Sequence, residues 1–450
     1  MLYRRLVLSV FMILALTISA CGAAPAATQA PANNPTAANN PTAANQPAAT
    51  TAPAVNSGAV TTITVWDYYT DPNASPIPPL IEPFQKEYPN IKIKYEIMDW
   101  DTANEKLDVV LSGGQPPDVT TVDMTWLPRL ASLGALTDLK PYSGGKINGT
   151  PLEQAYTPGA LEAMTYNGQI VTMMYDFDVY ALYYRSDLLE QKGLQVPTTL
   201  DELKTVAKKL AEGDKYLYEY DPDTFHGSQF IYENGGKLMS DDLKTITFNS
   251  PEAIDAIQFE ADMLLKDKTA INWTKDQGER IQGVKDGRIA MFSDGPYVMG
   301  LLKSGAPEMA GKWKVALFPK GKFQSSYLGG TGLVIPDKST NKDAAWKFIE
   351  FALRPENQVG VFKYAGAAPA TIAAAESPEV NVADPYFGGE KTLQVFLDSM
   401  KTAHPFPYVR QWSDIDTIFT AAMQSIVGGQ QTVKQALDDA ASKSTDALSQ

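Results

Sequence analysis

Cys21 is the only cysteine in 450 residues, so no intrachain disulfide can staple this chain and its stability has to come from a buried core. Hydrophobic residues make up 44% of the sequence, enough to build that core. The length fits two or three domain-sized units. Only two histidines occur, His226 and His404, and no His/Cys cluster has metal-ligand spacing, so neither a metal nor a cofactor is expected. No glycine-rich loop ends in Gly-Lys-Ser/Thr, and no Gly-x-Ser-x-Gly or His-Glu-x-x-His motif is present. The net charge of −14 argues against nucleic acid and anionic lipid as partners.

The first residues read as an export leader. Arg4-Arg5 is followed by an uncharged apolar run from Leu6 to Ser19 and then by small residues before Cys21. The run is shorter than the roughly 20 residues a spanning helix needs. Ile18-Ser19-Ala20-Cys21 resembles a bacterial lipobox. That resemblance implies a signal peptide over residues 1–20, a lipid on the Cys21 thiol, and a chain anchored at the extracytoplasmic face of the cell membrane, periplasmic or cell-surface. The competing reading is an ordinary secretory signal with an incidental cysteine. Residues 21–58 carry no charge and repeat Asn-Asn-Pro-Thr-Ala-Ala at 33–38 and 39–44, which gives them no face to bury and predicts a disordered linker. A coil of that length spans about 35 Å.

Beyond residue 60 the apolar spacing alternates between two periods. Ile63-Thr64-Val65-Trp66, Ile91–Ile97 and Asp118–Val122 read as strands. Between and after them lie helical stripes, such as Ile77, Leu80, Ile81, Phe84 and Tyr88. Thr199 with Glu202 looks like a capping box, Ser250-Pro251 like an N-cap with proline at the first helical position, and a last helix starts near Thr432. Alternating strands and helices predict an α/β fold with a mainly parallel sheet.

Ile63–Trp66, Gly114–Val119, Trp126–Leu139, Leu182–Leu188, Asn234-Gly235-Gly236, Phe248–Ala253, Gly287–Phe292 before Asp294-Gly295-Pro296-Tyr297, and Gly428–Val433 follow one another along the chain. In that order they resemble the extracellular solute-binding proteins of family 1, the sugar-binding receptors of ABC importers. Arg185 stands where the family usually has asparagine. The resemblance implies a type II periplasmic-binding-protein-like fold of two α/β lobes on a hinge, each lobe discontinuous in sequence. The first lobe would comprise 59–179 and 329–370, and the second 180–328 and 371–450. It also implies a carbohydrate ligand, the transmembrane subunits of an ABC permease with a separate ATPase as partner, and a monomer.

A sugar is held by flat aromatic platforms and by carboxylates at its hydroxyl rim, and open α/β sheets place ligands at strand ends. At the end of the first strand stand Trp66, a platform or a core residue, and Asp67. Asp123 ends a strand as a hydroxyl acceptor or as an N-cap, and Trp126 opens the next helix. Asp176 and Asp178 alternate, so both face one side. By resemblance, Asp178 corresponds to the family's acidic residue at the lobe crossing. Phe225 (with Tyr220 or Tyr232 as substitutes), Tyr297 and Trp412 correspond to its aromatics, and Gly330 to backbone passing close to ligand. The reading is a receptor for a neutral mono- or oligosaccharide and not an enzyme. Two rivals are a polyamine or other small-solute receptor of the same fold, because aromatics with acids also hold amines, and an exported carbohydrate-active enzyme. Against the latter, adjacent acids on one strand cannot flank a glycosidic bond from opposite sides.

Overall fold

The computed structural model describes residues 59–69, 75–272 and 277–449. Cys21, the leader and the linker lie outside the described residues. The strands that build the molecule are β1 (Thr61–Asp67), β2 (Ile91–Ile97), β3 (Val119–Asp123), β4 (Met173–Asp178), β5 (Ala181–Arg185), β6 (Leu217–Tyr220), β7 (Ala270–Asn272), β8 (Ile289–Asp294), β9 (Trp313–Ala316), β10 (Ser326–Val334), β11 (Ala368–Pro369) and β12 (Ala403–Pro405). The helices that matter for the site are α1 (Pro78–Glu87), α2 (Trp100–Gly113), α3 (Thr224–Glu233), α4 (Pro251–Leu265), α5 (Gln277–Lys285), α6 (Trp412–Val427) and α7 (Val433–Leu448).

Two sheets result. The first runs β11-β4-β10-β3-β1-β2, with β12 alongside the start of β10. Its β1, β2 and β3 are parallel, whereas β10 is antiparallel to both β3 and β4. The second runs β7-β6-β8-β5-β9. The chain passes from one sheet to the other through Val179 and Tyr180, returns between β9 and β10, and leaves again after β11. The fold is the expected two-lobed α/β arrangement with each lobe discontinuous. Gly329-Gly330-Thr331-Gly332 is the middle of β10, where that strand pairs with β4 beside the crossing.

The second sheet is covered on both faces, which explains the unbroken apolar run Tyr180–Tyr184. Leu182 and Tyr184 join one core with Tyr218, Ile257 and Leu437; Ala181 and Tyr183 join another with Phe292, Trp313 and Phe396. Arg185, next in line, forks onto both oxygens of Asp187 at 2.7 Å. In the first lobe Ile63, Val65, Val119, Leu333 and Phe348 share one core. Burying each such side chain contributes roughly 1.5–3 kcal/mol.

Helix starts follow the sequence signals. Ser250 accepts from the Ala253 N–H at the start of α4, and Thr432 with Gln435 forms a reciprocal capping box at α7. At Thr199 the cap differs from the expected box: its hydroxyl accepts from the Glu202 N–H, but the Glu202 carboxylate reaches one residue further back, to the N–H and hydroxyl of Thr198. Among the described residues no helix is long and apolar enough to cross a membrane.

Candidate binding cleft

The parallel strands of both sheets end toward one cavity of about 260 Å³. β3 delivers Asp123, β4 delivers Asp176 and Asp178, β6 leads into Asp221, and β8 delivers Asp294 with Tyr297 behind it. Carboxyl-terminal strand ends are where open α/β sheets leave room for ligands, because the chain must turn away from the sheet there. β10 supplies Tyr327 and the backbone of Gly329 and Gly330 to the same wall.

Aromatic faces come from both lobes. Tyr68, Tyr69 and Trp100 stand on the first-lobe side, with Phe225 and Tyr297 facing them from the second and Tyr180 at the crossing. The lobes touch here: the Trp100 and Phe225 rings meet edge-on at 6.4 Å between centroids. A second contact lies away from the cavity, where Arg129 Nε donates to Ser413 Oγ at 3.0 Å.

The acids divide into two groups. Asp294, Asp223 and Asp123 have strong partners. Arg280 lies between Asp294 (Nη1 to Oδ2, 2.5 Å) and Glu219 (Nε to Oε1, 2.8 Å), all three at most 2% exposed. Asp223 caps α3 through the His226 N–H and also faces His226 Nδ1 at 3.0 Å. Asp123 accepts from Trp100 Nε1 at 3.2 Å and from the N–H and hydroxyl of Thr125. Asp176 and Asp178 have only neutral donors. Asp176 Oδ1 accepts from the Thr331 N–H at 2.9 Å, and Asp178 Oδ2 from the Tyr327 hydroxyl at 2.5 Å. Asp176 Oδ2 and Asp178 Oδ1 are buried without a partner. Burial, reinforced by Asp123 and Asp67 against the Thr331 hydrogen bonds, pushes the Asp176 carboxyl up to about 7. Burial likewise pushes Asp178 well up, with Asp294 and Asp176 adding to it.

One trio has metal-like geometry. Single ligand atoms of Asp221, Asp223 and His226 lie within 4.8 Å of one another. However, His226 Nδ1 faces the Asp223 carboxylate and Nε2 faces the Ser293 carbonyl at 2.9 Å. A ring with acceptors at both nitrogens is an imidazolium and has no lone pair for a metal. Burial alone would lower its pKa, but Asp223, backed by Asp221 and Asp294, raises it to about 10.

Of the residues expected at the site, Asp123, Asp178, Phe225, Tyr297 and Gly330 line the cavity. Gly330 has φ +147°, and a Cβ there would lie 2.3 Å from the Asp176 carbonyl oxygen, so only glycine lets β10 run this close to β4. Gly295 has a similar role: a Cβ would overlap Asp178 Oδ1. Four expectations are corrected. Trp66 sits two positions too early; it is still inside β1 and packs on the first-lobe core, whereas Tyr68 and Tyr69, past the last strand residue, reach the cavity. Asp67 is 1% exposed and accepts from the hydroxyls of Ser75, Tyr95 and Thr121, a closed structural set. Trp126 is 1% exposed and stands behind the wall, against Trp100 at 4.8 Å and Tyr68 at 5.3 Å. Trp412 opens α6 but is 3% exposed, packed on Phe406, which in turn supports Phe225.

The residues the sequence did not single out are Trp100, Tyr68, Tyr69, Asp221, Asp223 and Arg280. Asp99-Trp100-Asp101, an aromatic between two acids at a helix start, was a readable signal; Arg280, inside an unremarkable helix, was not. Tyr220 and Tyr232 do not replace Phe225: Tyr220 is 1% exposed in the core, and Tyr232 faces a separate cavity beside His404.

The profile of the bacterial extracellular solute-binding proteins matches residues 66–359. The chain belongs to that family. This solute-binding protein is 24% identical over 388 residues to a lactose-binding protein of Rhizobium radiobacter, covering 82% of this chain and 88% of that one. It is also 24% identical over 400 residues to a maltooligosaccharide ABC transporter solute-binding lipoprotein of Streptococcus pneumoniae, covering 85% and 88%. Among solved structures, a solute-binding protein of Thermotoga lettingae bound to α-D-tagatose superposes with a TM-score of 0.77 at 26% identity, covering 86% of this chain and 100% of that one. The fold of the solute-binding protein is therefore that of the ABC-transporter binding proteins, with the described cavity between its lobes.

Proposed function

We propose that this chain is an extracytoplasmic receptor that captures a mono- or oligosaccharide between its lobes and hands it to the transmembrane subunits of an ABC permease. The observation that carries this reading is the cavity wall itself. Trp100, Phe225 and Tyr297 offer flat faces from opposite lobes, and Asp123, Asp176 and Asp178 offer acceptors at the rim. The sugar-binding relatives support the same ligand class. A ligand touching both lobes gains contacts only when they are together, so it shifts the population toward closure.

No chemistry is done on the sugar in this reading. Asp176 and Asp178 sit on one face of one strand, the wrong placement for two carboxylates that must flank a glycosidic bond. Anchoring by a lipid on Cys21 and a monomeric state belong to the same proposal, and the name of the pneumococcal relative supports the anchor.

The test is a thermal-stabilisation screen of the full chain, purified in detergent, against mono-, di- and oligosaccharides, followed by calorimetry on any hit. One saccharide series should raise the unfolding midpoint and be recovered uncleaved after long incubation. Stabilisation by spermidine with none by any sugar would move the chain to the polyamine reading, and release of cleaved sugar would make it an enzyme.

A further inference from the structure

The cavity holds more negative charge than its own cations can answer. Two basic side chains line it, Arg280 and His226. Arg280 is engaged by Glu219 and Asp294, and His226 by Asp223 and the Ser293 carbonyl. Asp176 and Asp178 are left facing hydroxyls and a backbone N–H, with one buried oxygen each unpartnered. Asp176 is 5% exposed, so water screens it poorly. The two are i and i+2 on β4, about 6.6 Å apart along the strand, with both side chains on the cavity wall.

A neutral sugar can donate hydroxyl hydrogens to the two carboxyl groups, but it brings no charge. Two carboxylates enclosed by aromatic rings and by lobe closure then either stay uncompensated or take up protons. A protonated amine removes both difficulties. It carries up to three donors, enough to meet both carboxyl groups on the cavity wall together. It is also attracted by ring faces, and Tyr180, Tyr297 and Tyr69 line the same cavity. The upward-shifted carboxyl of Asp176, about 7 without ligand, agrees with a site that becomes fully anionic only when a cation arrives.

We infer that the solute is an amine-bearing sugar, held with its ammonium group between Asp176 and Asp178 while the ring lies against the aromatic walls. This rests on the saccharide reading above and narrows it.

Calorimetry on the full chain in detergent tests it with matched pairs: glucosamine against glucose, galactosamine against galactose, and the β-1,4-linked glucosamine disaccharide against cellobiose and its own N,N′-diacetyl form. In at least one pair the free amine should bind ten-fold tighter or more. Asp176→Asn and Asp178→Asn, each checked for an unchanged unfolding midpoint, should weaken the free amine far more than the neutral member and so shrink that gap below three-fold. Should either variant not fold, loss of the preference on N-acetylation gives the same answer in the unaltered chain. Equal or tighter binding of the neutral member in every pair overturns the inference and leaves the saccharide receptor standing. Binding of putrescine or spermidine with no sugar of either kind overturns both.

Discussion

Arg280→Met tests whether the ionic group in the cleft wall is structural. Arg280, Glu219 and Asp294 are each at most 2% exposed, and the guanidinium donates to Glu219 Oε1 through both Nε and Nη2. Methionine keeps the length of the side chain and removes its charge. Asp294 retains the Gly295 N–H, whereas Glu219 is left buried near Asp294 without the guanidinium that held it. Breaking a buried pair from one side costs about 3–5 kcal/mol. An independent route gives a similar figure: Glu219 can escape by taking up a proton, which at pH 7 costs about 3.7 kcal/mol for a group of ordinary pKa near 4.3. That escape becomes easier by about 1.4 kcal/mol per pH unit as the medium is acidified. Urea unfolding, followed by tryptophan fluorescence, should therefore show R280M losing about 3–5 kcal/mol at pH 7 and about 2 kcal/mol less than that at pH 5.5. Adding Glu219→Gln and Asp294→Asn should restore most of the loss. A penalty under about 1 kcal/mol at pH 7, or one that does not change with pH, would refute the reasoning.

Four further outcomes follow from the same contacts. Trp100→Ala removes a cavity wall and the lobe-to-lobe ring contact with Phe225, so ligand affinity measured by calorimetry should fall at least ten-fold, or about 1.4 kcal/mol, with little change in midpoint. Trp412→Ala should act the other way, destabilising the fold by about 3–5 kcal/mol in urea because the side chain is core, with affinity falling only through loss of folded protein. His226 has its pKa raised from 6.5 to about 10, so its contribution is complete below pH 6.5 and is lost as pH rises through 10; thermal melts from pH 6 to 10 should decline more steeply for wild type than for His226→Gln. Cys21→Ser should move the protein from the membrane pellet to the soluble fraction, and continued retention in the pellet would rule out the lipid anchor.

The sequence was legible wherever one local rule sufficed. The period-two and period-3.6 patterns located strands and helices, Ser250-Pro251 marked one helix start and the last helix was placed near Thr432, and the i, i+2 acids at 176 and 178 were placed on one face correctly. The ordered series of segment likenesses gave the two-lobed fold. Single aromatics were not legible. Trp66, Trp126 and Trp412 look like platforms in a linear reading because large rings next to strand ends suit both a ligand and a core. Which use prevails depends on what the neighbouring element covers.

That choice was made by tertiary structure. Whether β1 stops at Asp67 decides that Tyr68, not Trp66, reaches the cavity, and only the pairing of β10 with β4 sets Gly330 against the Asp176 carbonyl. Arg280 joins Glu219 across 61 residues of sequence and Trp100 meets Phe225 from the opposite lobe, contacts no local pattern encodes. By itself the sequence determined a disulfide-free α/β chain with two acids on one face of a strand, because composition and periodicity are properties of neighbours along the chain. Which carboxylates have a cation and which are left open was decided in three dimensions, because a charge is neutralised by whatever folds next to it.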